Sequence, residues 1–231
     1  MVLVTALCAT AIASQGLSQD IPTGKGMVIG DFGGTKLELY TYKPTTYTGD
    51  RMLFVFHGVL RNADEYRDHS VQMGDRFKAL IVAPKFDSER FPSIKYQRGG
   101  LMTEDGKAAP PEEWTYAFIP KIAAAVKQRE GKPNMKHWLI GHSAGGQFVG
   151  RMTAFQDTGA ERAVAANPSS WPFPTRSLTF GYGFGGLPEV LSNDEMIRKF
   201  LARPMTVYLG TLDNVPDPDT DMSDGALVQG S

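Results

Sequence analysis

Apolar residues recur along this chain in two rhythms. Met52-Leu53-Phe54-Val55-Phe56 and Ala79-Leu80-Ile81-Val82-Ala83 are continuously apolar, the pattern of strands covered on both faces. Residues 26–32 and 35–43 predict two further strands, joined by Gly33-Gly34, which supplies the positive φ angles of a two-residue hairpin. In the second of these, Leu37 and Leu39 alternate with Lys36, Glu38 and Tyr40, as in a half-buried antiparallel strand. A helix is expected over 63–77, opened by Asn62 as N-cap with Glu65 three residues on. A second covers 114–130, its apolar face marked by Phe118, Ile122 and Val126, with Pro120 either kinking it or marking its start. A strand over 136–140, a helix over 144–156 with Phe148, Met152 and Phe155 on one face, and a strand over 163–166 follow. Residues 193–201 read as a helix with Ser192 and Glu195 as capping box, and 205–209 as the last visible strand. Strands alternating with helices predict an α/β fold: a mostly parallel central sheet behind an N-terminal antiparallel hairpin, with helices on both faces.

At 231 residues and 42% hydrophobic content, the length fits one domain. With 24 basic against 25 acidic residues and no long Lys/Arg cluster, nucleic acid is excluded as a partner. Residues 2–13 are apolar, too short to span a bilayer, and end in Ala11-Ile12-Ala13 before Ser14. That reads as the h-region and cleavage site of a secretory signal, although Met1 is followed directly by apolar residues with no basic n-region. The expectation is a secreted or periplasmic protein without stable membrane insertion, its folded domain spanning 14–231. Cys8, the only cysteine, would leave with the signal, so no disulfide is expected.

The chemistry centres on Gly141-His142-Ser143-Ala144-Gly145, placed between a strand and a helix. This is the context of a G-x-S-x-G nucleophile elbow, whose glycines remove the Cβ atoms that would collide in so sharp a turn. Ser143 is the candidate nucleophile, and the Ala144 N–H at the helix start is a candidate oxyanion donor. A second donor is expected from the loop after the 52–56 strand, His57-Gly58-Val59-Leu60-Arg61-Asn62, at the Val59 N–H. His57 is read as a core histidine orienting that turn. The acid is expected after a later strand: Asp213, at the end of the 205–209 strand, with Asp217 in reserve.

The base is missing from the pattern. The four histidines, His57, His69, His137 and His142, all precede Ser143, and 18 residues follow Asp213. The chain therefore reads as C-terminally incomplete and weak or inactive alone, with residues 205–209 as an exposed sheet edge. Gly181-Tyr182-Gly183-Phe184-Gly185-Gly186 matches G-x-G-x-x-G, yet no strand precedes it, so it reads as an aromatic, flexible loop. Asp217, Asp219, Asp221 and Asp224 resemble a calcium loop, but Met222 and Val228 stand where glycine and the bidentate glutamate belong. No metal or other cofactor is called for, and the sequence sets no oligomeric state. Trp171 and Tyr182, with Phe173, are candidates to line the substrate cleft.

With nucleophile, oxyanion turn and acid in order, the chain resembles the α/β-hydrolase superfamily over nearly all its length after residue 25. The segments His57–Asp68, Gly141–Phe148 and Ala165-Ala166-Asn167 are similar to an exported bacterial group related to polyhydroxybutyrate depolymerases and feruloyl esterases. The resemblance implies a carboxylic-ester hydrolase with Ser143 as nucleophile, Asp213 as triad acid, and Val59 and Ala144 as oxyanion donors. It also implies a small-molecule or polymeric ester as substrate. In that group a helix, a strand and a histidine loop follow the acid. A non-catalytic relative that keeps the elbow as a binding scaffold, and a serine peptidase or thioesterase on the same triad, are the alternatives.

Overall fold

The unbroken apolar runs become the middle of one eight-stranded sheet. The computed structural model describes residues 16–211; the candidate signal, Asp213, Asp217 and the calcium-like aspartates lie outside the described residues. The strands are β1 (Gly16–Leu17), β2 (Gly24–Asp31), β3 (Lys36–Lys43), β4 (Arg51–Phe56), β5 (Leu80–Pro84), β6 (Lys136–His142), β7 (Arg162–Ala166) and β8 (Met205–Tyr208). Their spatial order is β1-β2-β3-β5-β4-β6-β7-β8. The first three run antiparallel and β3 joins β5 antiparallel, whereas β5, β4, β6, β7 and β8 are parallel neighbours.

Burial explains why β4 has no polar position beyond Arg51. Met52, Phe54 and Phe56 enter the larger core with Leu139 and Phe148, while Leu53 and Val55 face the opposite layer with Ala63, Ile81 and Ala83. Phe54 and Phe56 are fully buried, each contributing about 1.5–3 kcal/mol from the area removed from water. The β2–β3 hairpin turns on Gly33 and Gly34, at φ +73° and +87°, values a side chain would oppose.

The helices depart from the expected boundaries for local reasons. The 63–77 segment is two helices, α1 (Ala63–His69) and α2 (Val71–Phe77). Ser70 Oγ donates to the Tyr66 carbonyl at 2.8 Å and the Ser70 N–H to Arg67, which tightens and turns the chain between them. Asn62 stands at the N-cap position of α1 but its side-chain oxygen accepts no N–H there; its amide N–H donates to the Glu65 carboxylate at 2.7 Å. Before α3 (Phe118–Arg129), residues 111–117 form two 3-10 turns, so Pro120 lies in the first turn, where its missing N–H breaks no helical bond. The cap of α6 (Asp194–Leu201) is Asn193, whose side chain accepts from the Met196 N–H at 3.0 Å. Ser192 instead ends the short α5 (Glu189–Ser192), its hydroxyl turned to the Leu187 and Pro188 carbonyls.

The chain passes from β4 to β5 on one side and then to β6 on the other. Their C-terminal ends therefore flank a crevice at the point where strand order reverses, the usual ligand position in an open α/β sheet.

Candidate functional site

Two loops meet at that crevice. Ser143 stands between β6 and α4 (Ala144–Phe155) at φ +56°, ψ −123°, a strained conformation for a residue with a side chain. Its backbone is held from both directions: its N–H donates to the Ala166 carbonyl and its own carbonyl accepts from the Gln147 N–H, both at 3.0 Å. The flanking glycines are steric requirements. A Cβ on Gly141 would collide with the Gly145 carbonyl, and one on Gly145 would strike the Phe56 carbonyl and lie 2.8 Å from that of His57. Ala144 opens α4, so its N–H belongs to the helix N-terminal set without intrahelical partners.

The second loop is 57–62, after β4. A Cβ built on Gly58 would lie 3.8 Å from Ser143 Cβ and 2.9 Å from the Tyr66 hydroxyl, so this backbone passes directly over the elbow. The turn closes through the Arg61 N–H to the Gly58 carbonyl, with Arg61 at φ +59°, and leaves Val59 61% exposed. His57 anchors the turn. Its Nε2 accepts from the Phe86 N–H at 3.0 Å and its Nδ1 lies 3.0 Å from the Gly58 carbonyl, one acceptor and one donor, as a neutral imidazole requires. Tyr96 stacks on the ring and donates to the His57 carbonyl at 2.8 Å. Burial pushes the His57 pKa down to about 4. With both nitrogens engaged, His57 is a scaffold histidine.

The other histidines make their contacts elsewhere. His142 is exposed, its Nδ1 3.2 Å from the Tyr66 hydroxyl. His137 is buried edge-on against Phe54 near the opposite end of β6, where burial lowers its pKa. His69 is exposed on α1. None of them makes a hydrogen bond to Ser143, and the two candidate acids, Asp213 and Asp217, lie outside the described residues.

Sequence reasoning missed Arg151. It is the only charged residue on α4, whose other members are apolar, small or amide-bearing, and that isolation was the available signal. The guanidinium is 3% exposed. It donates to the Gln97 carbonyl (3.3 Å), Gln147 Oε1 (3.1 Å), Ser170 Oγ (2.8 Å) and the Gly181 carbonyl (2.9 Å). Burial, reinforced by the charge of nearby Arg98, lowers its pKa to about 10. Ser170 and Gly181 immediately precede Trp171 and Tyr182, so one buried cation fixes the segments that carry both cleft candidates. Both aromatic side chains are half-buried, and Trp171 lies 6.1 Å from Phe173 between ring centres.

No family model matches the chain, and no curated protein does. Among solved structures, poly(aspartic acid) hydrolase-1 from Sphingomonas sp. KT-1 is 31% identical, with a TM-score of 0.83 over 91% of this chain and 80% of its own. LpqC, a poly(3-hydroxybutyrate) depolymerase from Bordetella parapertussis, is 33% identical, with a TM-score of 0.80 over 90% and 73%. The chain belongs to the α/β-hydrolase superfamily. Within it, this hydrolase resembles the poly(3-hydroxybutyrate) depolymerases. S-formylglutathione hydrolase FrmB from Staphylococcus aureus, 15% identical with a TM-score of 0.52, shares the fold.

The glycine-rich segment of this hydrolase has a packing role. A Cβ on Gly183 would lie 2.7 Å from the Leu178 carbonyl, and one on Gly185 would collide with the Arg176 carbonyl. The loop is closed by backbone bonds from Phe180 to Gly185 and from Phe184 to Thr175, with Phe180 and Phe184 buried. It is therefore a tied aromatic loop rather than a loose one. Among the described residues, no group of three or more His, Cys, Asp or Glu gathers as a metal site. No helix there is long and apolar enough to cross a membrane.

Proposed function

We propose that this hydrolase is a serine carboxylic-ester hydrolase acting through an acyl-enzyme. The observation that carries the reading is Ser143 at φ +56°, held on a turn that only its flanking glycines permit. Such strain persists where the surroundings over-determine it, and here it presents a hydroxyl beside a helix N-terminus. Ser143 Oγ would bond to the ester carbonyl carbon as the carbonyl electron pair moves onto oxygen. The N–H groups of Ala144 and Val59 would hold that oxyanion. Its collapse expels the alcohol, and water repeats the sequence to release the acid. Asp213 is proposed to orient the base. That base would take the serine proton and return it to the departing alcohol.

The proposed substrate is an ester with an extended acyl or aryl part, with Trp171 and Tyr182 as aromatic walls of the cleft. The likeness to a poly(3-hydroxybutyrate) depolymerase supports a polyester. Export, read from residues 2–13, belongs to the same proposal. A second reading, amide cleavage by the same serine, is favoured by the 31% identity to a poly(aspartic acid) hydrolase, whose named polymer is amide-linked.

A fluorophosphonate probe tests the reading directly. It should label Ser143, located by peptide mass spectrometry, and Ser143→Ala should lose both labelling and p-nitrophenyl acetate hydrolysis. Undiminished hydrolysis by the variant refutes the assignment, and a wild type that never labels supports a binding scaffold instead. Matched ester and amide substrates separate the two hydrolytic readings.

A further inference from the structure

Among the described residues, two arginines beside the elbow helix have no negative partner. Arg98 is exposed, and Arg151 is buried; neither enters an ion pair among the described residues. Their guanidinium groups converge: the point where a Gly181 Cβ would stand lies 3.6 Å from Arg98 Nη2 and 3.8 Å from Arg151 Nη2. Glycine adds no side chain between the two cations. Among the described residues, the four hydrogen bonds of Arg151 all go to neutral acceptors, and its buried Nε has no acceptor. Neutral acceptors satisfy its donors without cancelling its charge, and a second guanidinium beside it adds repulsion. One carboxylate beside the pair removes both penalties, because it accepts charge-assisted bonds from a planar donor fork.

The placement suits a substrate. Arg151 contacts Gln147, one turn from Ser143, and a helical side chain leans toward the helix N-terminus, here toward the serine. The Gln97 amide also donates to Gln147 at 2.9 Å, which brings the Arg98 loop over the same turn. Along α4, Arg151 lies two turns beyond Ser143, a rise of about 12 Å, and its side chain leans back along the helix toward the serine.

We propose that Arg98 and Arg151 bind a carboxylate on the acyl chain of the substrate, so that this hydrolase prefers anionic acyl groups over neutral ones of the same length. The proposal rests on Ser143 being the reacting group. Arg151 is the fixed half of the site, and the exposed Arg98 is the adjustable half.

The test compares 4-nitrophenyl half-esters of succinate, adipate, suberate and sebacate with uncharged 4-nitrophenyl esters of equal chain length. KM should favour the half-esters at one intermediate length. Arg98→Gln, at an exposed position, should raise the half-ester KM by about tenfold, the size of one charged hydrogen bond. Its kcat and its KM for the uncharged esters should stay as in the wild type. Arg98→Lys should recover part of the loss. An equal effect on charged and uncharged esters, or none on either, overturns the proposal. If no ester turns over, the serine reading fails by itself, and calorimetric titration with suberate decides the anion site. Suberate binding that weakens in Arg98→Gln supports it; equal or absent binding overturns it.

Discussion

Acid should destabilise this protein through His57. In the unfolded chain a histidine takes a proton near pH 6.5, whereas burial holds folded His57 to about 4. Between those values the unfolded state binds more protons, so stability rises with pH across the window and falls as pH drops through it. His57 therefore contributes fully above pH 6.5, loses that contribution progressively down to about pH 4, and has none below. The loss amounts to about 3 kcal/mol, a large fraction of the ~5–15 kcal/mol that a domain possesses. The structural cause is specific: protonated Nε2 becomes a donor facing the Phe86 N–H at 3.0 Å, replacing a bond with a clash of donors. Urea unfolding of the wild type and His57→Gln, from pH 7 to pH 4, measures the effect. Glutamine can still accept from Phe86 but cannot take the proton, so carboxylate titrations common to both proteins cancel. The wild-type curve should fall more steeply, and esterase activity should fade with it as the turn at Gly58 loosens. Parallel stability curves in the two proteins would refute the reasoning.

Two packing predictions accompany it. Gly145→Ala drives a Cβ into the Phe56 carbonyl where neither backbone can yield; it should cost about 3 kcal/mol or more and appear as a sharply lower thermal midpoint or insoluble protein. Glu130→Gln breaks the 2.8 Å pair with Lys43, whose side chains are 17% (Lys43) and 10% (Glu130) exposed, and leaves the ammonium poorly solvated. A loss of about 2 kcal/mol in urea is expected, and an unmoved midpoint would show that the pair contributes nothing.

The strands were legible because their burial is written in alternation. Leu37 and Leu39 alternate where one layer is covered, and residues 52–56 do not where both are. The elbow was legible because its constraint is local, three residues deciding whether the chain can reverse. Helix boundaries were less so. The break at Ser70 depends on a hydroxyl choosing the Tyr66 carbonyl, and at Asn62 the amide reaches Glu65 while the side-chain oxygen takes no N–H of the first turn. Both are side-chain orientations that spacing does not rank.

The same distinction divides the site into two kinds of part. The groups proposed to react are mostly backbone: the turn at Ser143 and the N–H donors of Ala144 and Val59, set by glycines and by a histidine that orients a loop. Such parts leave a short-range signature. Recognition is assembled instead from Gln97, Arg151, Ser170 and Gly181, more than eighty residues apart at the extremes and joined by one guanidinium. Nothing in the sequence near any of them announces the others; only the oddity of one charge on α4 hints at the meeting. It follows that substrate preference can change without disturbing the elbow, by substitutions in the loops carrying Arg98, Trp171 and Tyr182. Exchanging those loops between this hydrolase and a neighbour should transfer preference for charged or neutral acyl chains while leaving the reactivity of Ser143 toward a small fluorophosphonate unchanged. A swap that altered fluorophosphonate reactivity as much as substrate preference would show that recognition and reaction are one coupled unit.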